Sequence, residues 1–274
     1  MQAEESPDAE WVRALSGRPL AACRRAIEEA GAQRGLFAHL DREHRSEGRR
    51  SYIEIDAPLE LHALVRLLRP QHVVEVGVSS GVSSAYLLHA LRMNGRGTLH
   101  SVDLPTFPTR RRPGQGPSQF SWTLPTGRSS GWAVPFPLRP RWDLRLGDKA
   151  EVLPLLAEEL PRIDLLVYDV PHRDVSTRDE FRLLAPLLRP GGVAIVDHGA
   201  NGELCGALRA WARSVGGVPT GRAGLGLYGF RRPRPGKAQV RLAGGGSRRR
   251  GPLRRRAGSS TGRSGAKVRA LSVA

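Results

Sequence analysis

The stretch VVEVGVSSGVSSAYLLHAL, residues 73–91, decides the fold of this chain. A short β-branched run leads into a turn that contains Gly77 and Gly81, and an apolar run with helical spacing follows. Glycine at these positions permits positive φ angles and lets a ligand approach the backbone. Ser83 or Ser84 is predicted to start the helix, whose free amides would then point toward the turn. A strand, a glycine turn and a helix in this order predict a site for a nucleotide-like ligand.

Two common versions of such a turn are excluded. The three positions after Gly77 hold Val78, Ser79 and Ser80, so the G-x-G-x-x-G fingerprint of dinucleotide-binding proteins is absent. No G-K-[ST] follows, which also excludes a phosphate-binding P-loop.

On both sides of this stretch, short β-branched runs alternate with helical ones, which predicts parallel strands joined by crossover helices. Strands are predicted at residues 72–76, 98–102, 143–146, 163–168, 193–196 and 225–230, with a faint one near Val218. A helix is predicted to open at Pro58 and to stop at Pro70, and further helices are predicted at residues 83–93, 150–160, 178–188 and 203–215. Continuous apolar strands such as IDLLVYD fit a sheet covered on both faces. We therefore expect an α/β protein with a Rossmann-like, doubly wound, mostly parallel sheet.

The chain divides into three segments in this interpretation. Residues 1–50 form an N-terminal helical cap, residues 51–232 the main domain, and residues 233–274 an Arg/Gly-rich tail. Within the main domain, residues 104–141 are rich in Pro, Gly and Ser yet contain five aromatic residues. Loops of this length are uncommon unless they are functional or disordered. We interpret the insertion as a lid or substrate loop, the alternative being a surface insertion with its own apolar cluster.

The basic charge is distributed unevenly. Residues 231–274 hold 14 of the 43 Lys and Arg and none of the 26 Asp and Glu, leaving 29 basic against 26 acidic residues, a charge of +3, in residues 1–230. With few large apolar groups, the tail cannot offset the entropy of ordering, so we expect it to be disordered. It is either a solvated extension or a weak, salt-dependent contact to nucleic acid or a membrane surface. For the core, nucleic-acid binding is not expected.

Other features of the composition indicate a cytoplasmic protein. At 274 residues with 39% hydrophobic residues, the chain can bury a sizeable core. No apolar run reaches the ~20 residues that a membrane helix needs, and the acidic first residues lack the basic start of a secretory signal. The two cysteines, Cys23 and Cys205, are too few and too distant for a disulfide framework or a C-x-x-C zinc site.

The acidic residues at the predicted strand ends, together with the glycine turn, resemble the sequence motifs of a known protein family. Glu75, Gly77, Ser79 and Gly81 match the first motif of the class I S-adenosylmethionine-dependent methyltransferases, although Ser79 replaces the commonest middle glycine. The resemblance continues along the chain in SVDLP, LGDKAEVLP, IDLLVYDVPH and LLRPGGVAIVDH. Over residues 52–232 the chain is most similar to the small-molecule O-methyltransferases of family 24.

This resemblance implies the cofactor and the residues that bind it. S-adenosylmethionine would be bound by the first motif and by the acidic residues that end the next strands. Asp103 would contact the two ribose hydroxyls, since a carboxylate accepts from both, and Asp148 would contact the adenine. The implied cofactor-binding set is Glu75, Gly77, Ser79, Gly81, Asp103, Asp148 and Asp169.

The proton step has candidates at the ends of the fourth and fifth strands. His172 and His198 each lie beside a strand-end aspartate, and Asp169 is grouped with them as catalytic. Resemblance to metal-dependent O-methyltransferases implies instead a divalent ion on Asp169, Asp197 and His198. Because histidine binds Mg²⁺ poorly, Mn²⁺ is at least as good a candidate there. The alternative for each histidine is a structural role, in which it makes a hydrogen bond within its loop.

Three functions remain open at this point. The first is methyl transfer to a small molecule, most simply to a hydroxyl. The second is methylation of RNA or another nucleic acid, assisted by the tail, although DVPH replaces the N-P-P-Y-like motif of base amino-group methylases. The third is a domain that binds the cofactor without catalysis, favoured by the altered Asp197-His198 pair. We expect a small-molecule substrate and no membrane span, and a homodimer is left open.

Deleting residues 231–274 separates the first two functions. If the tail does not recruit substrate, turnover of a small acceptor by the truncated chain is expected to equal that of the full chain in a methyl-transfer assay. A loss of turnover confined to nucleic-acid acceptors would favour the second function.

Overall fold

The computed structural model describes residues 8–46, 57–104, 124, 127–170, 177–197, 202–222 and 225–235, with the backbone alone for residues 177 and 202–205. Four helices precede the first strand: α1 (Ala9–Ser16), α2 (Leu20–Gly31), α3 (Arg34–Ser46) and α4 (Pro58–Leu68). Their ends follow from the sequence. The side chain of Asp8 caps α1 by accepting the amide of Trp11, and Gly17 ends it in the left-handed conformation. Pro58 opens α4 at a position where no amide donor is needed.

Strands and helices then alternate to the end of the sheet. The strands are β1 (His72–Val76), β2 (Thr98–Asp103), β3 (Trp142–Leu146), β4 (Ile163–Tyr168), β5 (Leu188–Asp197), β6 (Thr220–Gly221) and β7 (Leu227–Arg231). The helices between them are α5 (Val82–Asn94), α6 (Lys149–Glu159), α7 (Thr177–Leu184) and α8 (Gly202–Ser214), and a 3-10 helix (Phe136–Arg141) leads into β3.

The seven strands form one sheet in the order β3-β2-β1-β4-β5-β7-β6. β1 to β5 pair in parallel, whereas β7 is antiparallel to both β5 and β6. The strand order reverses between β1 and β4, and this is the point where doubly wound sheets bind ligands at their carboxyl edge. The predicted Rossmann-like, mostly parallel sheet with an N-terminal helical cap is confirmed.

Helices cover both faces of the sheet, and each face has its own apolar core. One core joins α1 to α5 and residues 132–138 to the sheet. The other joins α6, α7 and α8 to the opposite face. From Leu165 to Tyr168 the residues of β4 alternate between the two cores, which explains why this part of the strand is continuously apolar.

Some predicted boundaries differ from the structure, and the strand predicted at residues 193–196 is the longer β5, Leu188–Asp197. The helix predicted to end at Leu188 ends at Leu184, because Leu188 pairs with Ile163 as the first residue of β5 and Pro190 cannot continue a helix. The truncation at Arg231 would remove the last residue of β7, which pairs with Val193. A deletion that tests the tail without damaging the sheet therefore starts after Arg234.

The remaining expectations concern the tail and the membrane. Residues 236–274 and most of the predicted lid, including Phe107, Phe120 and Trp122, lie outside the described residues. Among the helices of the described ranges, none is long and apolar enough to cross a bilayer.

Candidate functional site

The residues predicted as a site lie at the carboxyl edge of the sheet, where β1 to β5 end side by side. Gly77 follows β1, Asp103 ends β2, and Asp148 comes two residues after β3. Asp169 follows β4 directly, and Asp197 ends β5. Because these strands are parallel neighbours, their ends meet at one edge.

The turn after β1 is held by both neighbouring strands. The amide of Gly77 donates to the carbonyl of Val102 at 2.9 Å, and the amide of Asp169 donates to the carbonyl of Val76 at 2.8 Å. Gly77 and Gly81 both have φ +93°, as their predicted role requires. Ser79 has φ +52°, a left-handed conformation that costs a non-glycine residue about 1–2 kcal/mol. The turn therefore has the glycine geometry although its middle residue is serine.

Beneath the turn lies the carboxylate of Glu75, which is completely buried. It accepts three serine hydroxyls, from Ser83 at 2.7 Å, Ser84 at 2.6 Å and Ser101 at 2.7 Å. The first two serines stand in the first turn of α5 and the third in β2, so one carboxylate joins three elements. The predicted cap is wrong in this detail: Gly81 is the N-cap residue of α5, and the serine side chains turn to Glu75 instead of to the helix amides.

Burial dominates the ionisation of Glu75. Removal from water raises its pKa to about 7, although the hydroxyl donors oppose the rise and the nearby charge of Asp103 adds to it. Near neutral pH this group therefore changes its charge inside the protein.

The serine network extends to β3 and to residues 127–135, which we call the covering segment. The indole Nε1 of Trp142 donates to the hydroxyl oxygen of Ser101 at 2.9 Å. Gly131 lies against the ring of Trp142, since a Cβ there would be 2.1 Å from the ring carbon Cη2. The covering segment is thus seated on the edge of the same network.

The covering segment also binds the turn itself. The amide of Gly131 donates to the carbonyl of Ser79 at 2.8 Å, and the amide of Ala133 donates to the carbonyl of Ser80 at 3.0 Å. A Cβ at Gly81 would be 2.7 Å from a methyl carbon of Val134. The glycine at position 81 therefore also admits this segment.

Helix α3 reaches the same place from the N-terminal cap. The Nε2 atom of His39 donates to the carbonyl of Ala133 at 3.1 Å. His44 donates from Nδ1 to the carbonyl of Leu40 at 2.7 Å, which leaves Nε2 of the neutral ring to accept the hydroxyl of Ser80 at 3.0 Å. The N-terminal cap thus takes part in positioning the turn.

Asp103 faces the turn from β2. Burial raises the pKa of its carboxyl group, and hydrogen bonds, among them those from the amides of Val78 and Ser79, oppose that rise. The same carboxyl group is also hydrogen-bonded by the side chain of Ser130 and by the amide of Leu104.

The other predicted cofactor residues are less enclosed. Asp148 is exposed and accepts the amide of Ala150 at 2.8 Å as the N-cap of α6. Asp169 is half-buried, and its carbonyl oxygen would be only 1.6 Å from a Cβ at Gly77. The absence of a side chain at Gly77 therefore lets β4 close against the turn.

The structure describes only some of the predicted catalytic and metal-binding residues. His172 and His198 lie outside the described residues. Asp169 and Asp197 end neighbouring strands. Within the described part of the chain, no three His, Cys, Asp or Glu side chains are grouped closely enough to hold a metal ion.

Sequence reasoning missed most of the residues that support the turn. Besides the covering segment, it missed a cluster at the end of β4, in which Lys149 contacts Glu180 at 3.2 Å and the hydroxyl of Tyr168 donates to the same carboxylate. In the sequence, only the five aromatic residues of the insertion pointed to such contacts, because they indicated that part of the insertion packs against the domain.

Comparison with known proteins agrees with this geometry. The strand order and the glycine turn at the reversal point define the class I methyltransferase fold. A family model described as a methyltransferase domain matches residues 74–198. No curated protein matches the chain.

Three solved structures illustrate the likeness. An O-methyltransferase from Bacillus cereus, crystallised with SAH, is 16% identical, with 73% of this chain and 90% of that chain covered and a TM-score of 0.47. A methyltransferase from Geobacter sulfurreducens is 18% identical, with coverage of 73% and 89% and a TM-score of 0.47. The O-methyltransferase TomG from Streptomyces achromogenes, involved in tomaymycin synthesis and crystallised with SAM, is 16% identical, with coverage of 73% and 90% and a TM-score of 0.47. No residue role in this chain follows from such distant likenesses.

Replacing Gly77 by alanine is expected to destabilise the fold more than the same change at Gly95. Both glycines have positive φ, but nothing lies within 4 Å of a Cβ at Gly95, whereas at Gly77 it would overlap the Asp169 carbonyl. The difference in free energy of unfolding should be about 1–3 kcal/mol. Denaturant unfolding of G77A and G95A measures it, and equal losses would show that the close approach to Asp169 does not exist.

Replacing Glu75 by glutamine is expected to change how stability depends on pH. A carboxyl group whose pKa is raised by folding stabilises the protein below its unfolded pKa, and this contribution is lost as the pH rises through about 7. The stability of the wild type relative to E75Q should therefore fall by about 3 kcal/mol between pH 4 and pH 8. Denaturant unfolding at several pH values measures the fall. The exposed Glu158→Gln variant is the control, and parallel pH curves for wild type and E75Q would contradict the assignment.

Proposed function

We propose that this chain transfers the methyl group of S-adenosylmethionine to a small molecule, at a hydroxyl oxygen. One observation carries the proposal. The carboxylate of Asp103 lies beside the amides of Val78 and Ser79, at the mouth of a glycine turn and next to the reversal point of the sheet. A carboxylate beside a glycine turn at this edge of the sheet is suited to an adenosyl group, which offers two vicinal hydroxyls as donors.

The residues present fit this cofactor. We propose that Asp103 accepts the ribose hydroxyls and that Asp148, exposed at the N-terminus of α6, lies beside the adenine. Gly77, Ser79 and Gly81 form the backbone wall of the site, with Asp169 at its far side. Glu75 is assigned to the cofactor site through the turn that it holds in place, because its described partners are the three serines.

S-adenosylmethionine supplies an electrophilic methyl group, so the protein has only to align the acceptor oxygen and remove its proton. We propose His172 and His198 for the proton step, since each follows a strand that ends at this edge. Asp169 would orient the acceptor or the base. A divalent ion on Asp169, Asp197 and His198, such as Mg²⁺ or Mn²⁺, is the alternative means of lowering the pKa of the hydroxyl.

The cofactor assignment is tested at Asp103. Changing Asp103 to alanine is expected to weaken S-adenosylmethionine binding by about 1–3 kcal/mol, that is roughly 5- to 150-fold in Kd, because charged hydrogen bonds are lost. Isothermal titration calorimetry measures the change. The matched control is Asp179→Ala, which removes a carboxylate that is 75% exposed on α7.

Thermal unfolding of the same samples separates binding from folding. If D103A is folded and binds the cofactor as tightly as wild type, Asp103 is not a ribose ligand. If the folded wild type binds no S-adenosylmethionine at all, the proposed function itself is wrong.

A further inference from the structure

The amino-terminal edge of the sheet, opposite the glycine turn, has two adjoining cavities lined mainly by arginines. The first has a volume of about 310 Å³, and its arginines are Arg69, Arg96, Arg162 and Arg189. The second has a volume of about 260 Å³, and its arginines are Arg18, Arg189, Arg231 and Arg234. The cavities share Leu68 and Arg189. We call the two together the arginine cleft.

The cations of the arginine cleft come from distant parts of the chain. Arg18 lies between α1 and α2, Arg69 follows α4, and Arg96 precedes β2. Arg189 lies in β5, and Arg231 ends β7. Folding therefore gathers into one cleft charges that are scattered in the sequence.

Almost no negative charge balances these arginines. Asp164 is the sole carboxylate among the described residues that line the cleft, and it already has hydrogen-bond and ion-pair partners. It accepts the amides of Gln71 at 2.7 Å and His72 at 2.9 Å, and it pairs with Arg189. Within the described ranges, no salt bridge is formed by five of the cleft arginines, namely Arg18, Arg69, Arg96, Arg231 and Arg234.

The positively charged side chains of these arginines lie close together although they repel one another. Burial, followed by the charges of Arg234, Arg18 and Arg189, lowers the pKa of Arg231. The guanidinium of Arg231 lies against Gly17, where a Cβ would be 1.8 Å from Nη1. The buried Nε of Arg96 has no hydrogen-bond partner among the described residues. An anion in the cleft would relieve this repulsion.

We propose that the arginine cleft binds a compact anion that carries two phosphate groups, one in each cavity. Several guanidinium groups around one cavity match the oxygens of phosphate, which they bind in a forked geometry. Described lining residues include no aromatic side chain on which a nucleobase could stack.

Inorganic pyrophosphate is the probe, titrated into the full-length protein by calorimetry in a phosphate-free buffer. The test variant is the double substitution Arg18→Gln and Arg96→Gln, which takes one cation from each cavity. The control is Arg24→Gln with Arg213→Gln, which removes the same charge from exposed positions outside the cleft. Since all variants keep the basic tail, binding by the tail is equal among them.

We expect the cleft variant to bind pyrophosphate at least about tenfold more weakly, and the control to stay within about twofold of wild type. Equal binding by both variants would overturn the site. Orthophosphate binding as tightly as pyrophosphate would overturn the two-phosphate ligand. Tighter, cleft-dependent binding of a single-stranded oligonucleotide or of anionic lipid vesicles would overturn the compact ligand. The result is independent of methyl transfer, because the cleft lies at the other edge of the sheet.

Discussion

The buried carboxylate of Glu75 and the three serine hydroxyls that donate to it hold β1, β2 and α5 together at one point. A buried charge is unfavourable unless it is hydrogen-bonded, and the raised pKa of Glu75 indicates that its hydroxyl donors offset only part of this cost. The glycine turn spans the gap between Glu75 and the serines of α5. The path of the turn is therefore determined by the buried carboxylate of Glu75, a group that need not touch a ligand.

Contacts above the turn depend on that path. The carbonyls of Ser79 and Ser80 accept amides of the covering segment, and Ser80 also meets His44 of the N-terminal cap. Trp142 joins the covering segment to the serine network through Ser101. Helices and loops far apart in the chain are thus positioned around one turn, and Asp103 faces that turn from the side.

The sequence predicts the sheet well because strands buried on both faces are mainly apolar, as in β1 and β4, whose bounds match the predictions. Prediction from the sequence is less accurate where tertiary contacts determine the secondary structure or the hydrogen-bond partner of a residue. Leu188 looked helical, but pairing with Ile163 makes it strand. Ser83 and Ser84 have the residue type of a helix cap, yet Glu75 competes for their hydroxyls. The arginine cleft had no sequence signal, since its charges come from separate elements. The roles of Asp103 and Asp148 toward a cofactor stay predictions.

A crystal structure of the chain with S-adenosylhomocysteine tests the account most directly. The account predicts the ligand at the carboxyl edge, its ribose hydroxyls on Asp103 and its chain along the turn from Gly77 to Gly81, with Glu75 still held by the three serines. A ligand at another place, or a Glu75 carboxylate turned away from the serines toward the ligand, would contradict it.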